Sequence, residues 1–253
     1  MLTKNDNPIN VLPSACFGRR ALLKSSLIGV GSMTAGGIFG RFPVSLFGPD
    51  IPSKYEGPVV ETASGKVRGV IQGGTHIFRG VPYGASTAGS NRFMPPRKPE
   101  PWQGVREAFQ NGPTAPQLSG PINSLILNHT PTAPKGEDCL VINVFTLGVN
   151  DGRKRPVMVW LHGGGFAGGA GTPLAFDGTD LARSGDVVVV AVNHRLNIFG
   201  FLYLGDLGGE KFADSGNAGL LDIVAVLEWV RDNIAQFGGI PAMSRFSANR
   251  AAV

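Results

Sequence analysis

The residues best placed for chemistry are the glycines of PVMVWLHGGGFAGGAG, which runs from Pro156 to Gly171. An apolar run that suits a buried strand ends at Leu161, and Gly163, Gly164, Gly165, Gly168 and Gly169 follow. Glycine lacks a Cβ, so these residues leave backbone N–H groups unshielded and let a substrate carbonyl approach the main chain. Donors aimed at a developing oxyanion are each worth roughly 3 to 4 kcal/mol in the transition state. The attacking group is harder to find, because no serine downstream sits in a G-x-S-x-G setting. The nearest decoy, Gly84-Ala85-Ser86-Thr87-Ala88, lacks the last glycine, so Ser86 reads as a loop residue.

Gly163 to Gly168 also satisfies G-x-G-x-x-G, which raises a dinucleotide site as a rival. That site needs a helix opening at the loop, so that a pyrophosphate meets its N-terminus. Here Gly169, Gly171, Thr172 and Pro173 follow, and the acidic residue Asp186 precedes the next apolar run instead of ending it. The loop therefore predicts no nucleotide cofactor, and no spacing of Cys, His, Asp or Glu predicts a metal.

The elements that must hold such a loop are legible on either side. Cys139 to Phe145, Pro156 to Leu161 and Val187 to Asn193 are β-branched, apolar runs suited to strands buried on both faces. Val59 to Val70 predicts a hairpin turning at Ser64-Gly65, and His76 to Phe78 a short strand. Proline, glycine and asparagine predict loops from Gly84 to Pro134. Asp180 to Arg183 predicts a helical turn. Gly219 to Phe237 predicts a helix, with Leu220, Ile223, Val224, Leu227, Val230 and Ile234 on its apolar stripe. Asp222, Glu228, Arg231 and Asp232 fall on its other faces, Asn217 is placed to cap its start and Gly238 to end it. Strands alternating with helices give an α/β class, a mixed sheet flanked by helices.

Composition bounds the partners. The net charge of +5 is modest and its basic residues are scattered, apart from Arg153-Lys154-Arg155, which speaks against nucleic acid. Residues 1–50 differ in kind, with Arg19-Arg20 and Lys24 ahead of a glycine-rich, weakly apolar stretch and no acidic residue between Asp6 and Asp50. This resembles a twin-arginine export signal, and it implies the export machinery as a partner and a periplasmic or secreted destination. The stretch is too short for the ~20 apolar residues of a stable membrane span. Cys16 falls in that segment and Cys139 beyond it, so a processed chain has no disulfide.

From about residue 58 to Gly239 the chain resembles the type-B carboxylesterase family of the alpha/beta-hydrolase fold. The resemblance rests on Phe78-Arg79-Gly80-Val81-Pro82-Tyr83, Arg92-Phe93, Trp102-Gln103-Gly104-Val105, Gly112-Pro113 with Pro116-Gln117, and Glu137-Asp138-Cys139-Leu140 with Asn143-Val144. WLHGGGF, VNHRLNIFGFL, GNAGLLD and EWVRDNIAQFGG follow in the family's order and spacing. The family has an oxyanion loop of the HGGG type. The resemblance implies Gly164 and Gly165 as the oxyanion donors, with Gly163 shaping the turn. His162 is implied to support the loop, with simple packing as the alternative. His194 reads as structural, where the family often has an aromatic residue, and Glu137-Asp138 as a structural acidic pair. His76 and His129 match no catalytic position. Cys139 normally pairs with a cysteine where this chain has Ala115, which predicts a buried free thiol. The implied activity is hydrolysis of small-molecule carboxylic esters by a serine nucleophile through an acyl-enzyme. A non-catalytic binding or adhesion module is the alternative.

After Gly239 the likeness stops, and residues 240–253 read IPAMSRFSANRAAV. One codon choice for this tail, preceded by a single G, translates in the shifted frame as DPGNVTIFGQSGGG, the family's strand and nucleophile elbow. The expectation is therefore three segments: an export signal and linker over 1–50, the N-terminal part of an esterase domain over 51–239, and an out-of-frame tail over 240–253. Such a chain is truncated before the nucleophile elbow and is expected to be inactive, lacking nucleophile, acid and histidine. Its strand at Pro156 is expected to have an open apolar edge, and the product to be retained and degraded in place of export.

Overall fold

Why the apolar runs become strands is clearest at Val188–Val192, where every residue is β-branched or small and every one is buried. The computed structural model describes residues 57–118, 133–171 and 177–248, all within one unit, Pro52–Val253. The arginine-pair segment, Cys16, His129, Thr172, Pro173, Asn249 and Arg250 lie outside the described residues.

Two sheets form. The smaller orders β1 (Val59–Thr62), β2 (Gly65–Arg68) and β5 (Val105–Glu107) as β1-β2-β5. The larger contains β3 (Val70–Gln72), β4 (Thr75–Pro82), β6 (Val141–Thr146), β7 (Arg155–Leu161), β8 (Val188–Val192) and β9 (Gly239–Ala248), in the order β3-β4-β6-β8-β7-β9. Its first half is antiparallel, and β8, β7 and β9 are parallel. A parallel neighbour needs a crossover, and α1 (Thr179–Gly185) lies in the connection from β7 to β8. Between β8 and β9 come the short helices α2 (Asn197–Phe201) and α3 (Gly205–Gly208), then α4 (Ala218–Asn233) and a 3₁₀ turn, Ile234–Phe237.

The period of two along β8 separates its faces. Val188, Val190 and Val192 join the main core with Phe78, Val157 and Val159 of the sheet and Val226, Trp229 and Val230 of α4. Val189 and Ala191 face Ile77, Phe145 and Ala182 of α1. Helices therefore cover both faces of a mixed sheet, as the class reading expects.

Several local expectations change. The first hairpin turns at Ala63-Ser64, because Thr62 pairs with Gly65. Gly65 is needed for a different reason: a Cβ there would lie 2.6 Å from the Trp102 ring. The stripe expected on α4 is also rotated. Its buried residues are Ala218, Gly219, Asp222, Val226, Trp229, Val230 and Asn233, whereas Leu220 and Val224 are exposed. Asp222 turns inward because a cation awaits it, as shown below. Asn217 occupies the N-cap position but makes no side-chain cap hydrogen bond, while Gly238 adopts the left-handed conformation at the other end (φ 77°).

The largest correction concerns the tail. Residues 239–248 form β9 and cover the outer edge of β7, pairing Val157 with Ser244 through to Leu161 with Ala248. The open edge expected at Pro156 is covered, since strand pairing is made by backbone groups, and residues 244–248 all carry both N–H and C=O. The pairing is irregular at its start, jumping from Arg155–Gly239 to Val157–Ser244.

Candidate functional site

The loop of interest starts where β7 ends and is built from unusual backbone. Gly164 (φ 129°), Gly165 (φ 57°), Phe166 (φ 57°) and Gly169 (φ 108°) all have positive φ. Gly164 must be glycine for a second reason. A Cβ there would sit 2.0 Å from the Gly168 carbonyl oxygen, because the loop folds back on itself. That fold is closed by Ala167 N–H and Gly168 N–H, which both donate to Gly164 O at 3.0 and 3.3 Å. Among the described residues, none accepts a hydrogen bond from the N–H of Gly164 or Gly165. Gly164 is half-buried and Gly165 exposed, so both are reachable from outside.

Side-chain amides hold the loop in place. Gln117 accepts from Gly169 N–H at 2.8 Å and donates to Gly169 O at 2.9 Å, gripping one residue from both sides of its backbone. Asn193, at the end of β8, accepts from Gly171 N–H at 2.7 Å, and Asn143 of β6 donates to Gly171 O at 3.1 Å. Asn197 donates its N–H to Phe166 O at 2.6 Å and its Nδ2 to Pro116 O at 2.7 Å. Asn193, Asn143 and Gln117 sit in segments whose general likeness was legible, yet nothing local in the sequence points their amides at the glycine loop.

His162 lies against this loop, 8% exposed, with Nδ1 2.9 Å from Gly163 O. Its ring stacks on that of His194 at 4.7 Å between centroids and 6° between planes. His194 Nδ1 is 2.8 Å from Arg195 O. Burial pushes the His194 imidazole below its ordinary value, with the Arg195 carbonyl and Asp222 opposing the shift. Arg195 in turn donates to Asp222 through Nε (2.8 Å) and Nη2 (2.6 Å), and the backbone N–H of Arg195 adds a third bond at 2.9 Å.

The remaining candidates are placed elsewhere. Glu137 pairs with Arg92 at 2.5 Å, and that hydrogen bond holds its carboxyl below the usual range, which fits a structural acid. Cys139 is a buried free thiol, pushed by burial up to about 12. His76 lies on β4 beside Thr146, where burial lowers its imidazole, with Asp151 and Arg155 as its charged neighbours. Ser86 is in a loop, as expected. Asp186 is engaged by Arg155 Nε at 2.7 Å and closes α1. Beside Gly165, an open hollow of about 560 Å³ is lined mainly by Phe166, Ile198, Phe201 and Leu202. Among the described residues, no helix is long and apolar enough to cross a membrane.

A mixed sheet with helices on both faces, and a glycine-rich loop leaving the end of a parallel strand, belong to the alpha/beta-hydrolase fold. Within that class the chain belongs to the carboxylesterase family, whose model matches residues 56–244. It is 44% identical over 183 residues to a para-nitrobenzyl esterase of Bacillus subtilis, covering 72% of this chain and 36% of that protein. A phenmedipham hydrolase of Pseudarthrobacter oxydans is 40% identical over 184 residues, covering 73% of this chain and 36% of that protein. A solved carboxylesterase of Geobacillus stearothermophilus superposes with a TM-score of 0.68 at 45% identity, covering 75% of this chain and 37% of its own. The chain thus spans little more than a third of the length of these relatives.

Proposed function

We propose that the glycine loop serves carboxylic ester hydrolysis, holding the oxyanion that forms when a serine attacks the ester carbonyl. In that reaction the serine oxygen bonds to the carbonyl carbon and the alcohol leaves. Water then attacks the acyl-enzyme, releases the acid and restores the serine. As each tetrahedral species forms, negative charge moves onto the former carbonyl oxygen, and Gly164 and Gly165 N–H are the donors that meet it. The observation that carries this reading is that both N–H groups are unengaged among the described residues, while the loop around them is anchored by Gln117, Asn193, Asn143 and Asn197. The apolar hollow beside Gly165 favours small esters with an uncharged acyl or alcohol portion.

Residues 1–253 alone are expected to show no turnover, because no serine among them lies in a G-x-S-x-G turn. Loss of the nucleophile costs about a millionfold in kcat in the serine protease subtilisin. The tail from Ile240 is read as out of frame by one nucleotide. Support comes from the position of β9: the shifted reading places V-T-I-F-G on Ser244 to Ala248, the residues paired with Val157 to Leu161. Its serine codon spans the present Asn249 and Arg250 codons. Export through the twin-arginine machinery remains the reading of residues 1–50.

Resequencing the Gly239/Ile240 junction tests the frame, and unrelated nucleotides there overturn it. The in-frame, full-length protein is then expected to hydrolyse a short-chain p-nitrophenyl ester. A soluble, inert full-length product that binds a protein partner supports the binding module in its place. Export is tested by a reporter fused behind residues 1–55, whose transport is lost when Arg19 and Arg20 are both changed to Lys.

A further inference from the structure

We propose that Asn197 is a positioning residue that aims the Gly165 N–H through a relay of two peptide units. The proposal deepens the ester-hydrolase reading, on which it rests for what that N–H meets. Asn197 donates its backbone N–H to Phe166 O at 2.6 Å. Phe166 C=O shares a peptide unit with Ala167 N–H, which donates to Gly164 O at 3.0 Å. Gly164 C=O in turn shares a unit with Gly165 N–H, which is exposed and donates to none of the described residues. A trans peptide is planar and turns its C=O and N–H to opposite sides, so fixing the oxygen fixes the direction of the N–H. Hydrogen bonds in such a chain also polarise one another, which strengthens the last donor.

The backbone along this path is held where it would not rest by itself. Phe166 (φ 57°) and Asn197 (φ 48°) are both left-handed, and neither is glycine. Asparagine tolerates that region, whereas for a bulky ring it is an outlier that persists only when its surroundings impose it. Here α2 imposes it. The Phe166 ring packs on Phe201 at 4.8 Å between centroids, and the Phe166 carbonyl takes the Asn197 N–H. Phe201 is seated in its turn on α4, where a Cβ added to Gly219 would lie 2.7 Å from its Cζ.

The Asn197 side chain holds the residue that begins the relay. Its Nδ2 donates to Pro116 O at 2.7 Å, and its Oδ1 accepts from Phe199 N–H at 3.4 Å. The neighbouring Gln117 grips the N–H and C=O of Gly169. Those groups belong to later peptide units than the ones in the relay, so the two supports are separable. Gly168 N–H adds a longer bond to Gly164 O at 3.3 Å, and that unit is likewise untouched by Gln117.

The test sets Asn197→Gly against Asn197→Ala in the 1–253 chain, by amide hydrogen exchange corrected for intrinsic rates and referenced to β8 amides. Both variants lose the side-chain bonds, but glycine enters the left-handed region freely and alanine does not. Exchange at Ala167 is expected to rise about fivefold in Asn197→Gly, the worth of one hydrogen bond, and about thirtyfold in Asn197→Ala, where left-handed strain is added. Gly169 is expected to be unchanged in both. Asn197→Ser stands in for the alanine variant should that one fail to fold. Equal rates at Ala167 in the two variants, no acceleration in either, or equal acceleration at Gly169 each overturns the relay.

In the in-frame enzyme, Asn197→Ala is expected to lower kcat about tenfold with KM little changed, part of what loss of a whole oxyanion donor costs. Asn197→Gly is expected to restore most of that loss. A rise in KM with kcat unchanged overturns the positioning role. Exchange needs no turnover, so an inert in-frame enzyme with the expected exchange refutes the esterase reading and leaves the relay standing.

Discussion

Arg195 and Asp222 meet where water does not reach, their side chains 1% and 0% exposed and joined Nη2 to Oδ1 at 2.6 Å. The guanidinium also donates to the carbonyls of Met94 (2.7 Å) and Ala218 (3.2 Å), so one side chain ties α4, the end of β8 and the loop before β5 together. Burial pushes the Asp222 carboxyl upward, and the Arg195 hydrogen bonds pull it down. Removing one partner leaves the other charge buried and uncompensated, a loss of about 3 to 5 kcal/mol. Asp222→Asn and Asp222→Ala are therefore expected to lower the urea midpoint of the 1–253 chain sharply. The double change Arg195→Met with Asp222→Leu is expected to recover much of it, because no charge is then stranded.

Gln117 is expected to act on the glycine loop and little else. Both its hydrogen bonds to Gly169 are lost in Gln117→Ala, whereas Gln117→Glu keeps the acceptor and loses the donor. At about 1 kcal/mol net per bond, two bonds lost, the alanine variant is expected to speed exchange of the loop amides roughly thirtyfold. The glutamate variant falls between it and wild type, and β8 amides are unchanged in both. The measurement is exchange read amide by amide, which separates the loop from the sheet.

How far the sequence reached is explained by the range of each interaction. β6, β7 and β8 were legible because β-branched runs of strand length are a local signal. The glycine loop is legible because the positive φ at Gly164, Gly165 and Gly169 favours glycine. The face of α4 is not legible at Asp222, because its partner lies 27 residues earlier and no local pattern announces an inward carboxylate. The clamp of Gln117 on Gly169 spans 52 residues and has no periodic signature at all. The His162–His194 stack brings together residues 32 positions apart and has no local signature either. Residues 240–248 depart from the family's sequence, yet a parallel ladder is made by the backbone and forms all the same.

Gly164 and Gly152 separate the two costs that a glycine substitution carries. Both have positive φ, 129° and 70°. Gly152 has open space around it, so Gly152→Ala meets only backbone strain, about 1 kcal/mol. Gly164→Ala adds a methyl 2.0 Å from the Gly168 carbonyl oxygen, which cannot be accommodated without unfolding the loop's return. Thermal melts are expected to shift slightly for the first. The second is expected to shift further and to lose protection at Ala167 and Gly168 amides.

Cys139 is expected to be inert in the folded chain. Its thiol is fully buried and pushed to about 12, so the reactive thiolate is scarce at ordinary pH and access is blocked besides. Peptide mapping after alkylation at about pH 8, near the unperturbed thiol value, is expected to find Cys139 unmodified in buffer and modified in urea. Modification in buffer at the rate seen in urea contradicts the burial of Cys139 just ahead of β6.

β9 offers the sharpest test of how the tail is held. In a parallel ladder, alternate residues turn their N–H and C=O to the same neighbour, so adjacent residues of β9 point to β7 and away from it in turn. Arg245 and Phe246 pair in register with Met158 and Val159, and only one of the two donates its N–H to β7. Proline removes that N–H. Arg245→Pro and Phe246→Pro are therefore expected to differ in stability by about 1 kcal/mol or more, the worth of a ladder bond together with the acceptor left behind. Urea denaturation of the two variants measures the difference. Equal, negligible effects mean that residues 244–248 are not paired to β7 in solution. Equal, large effects mean that both edges of β9 are bonded, so that a further strand lies beside it.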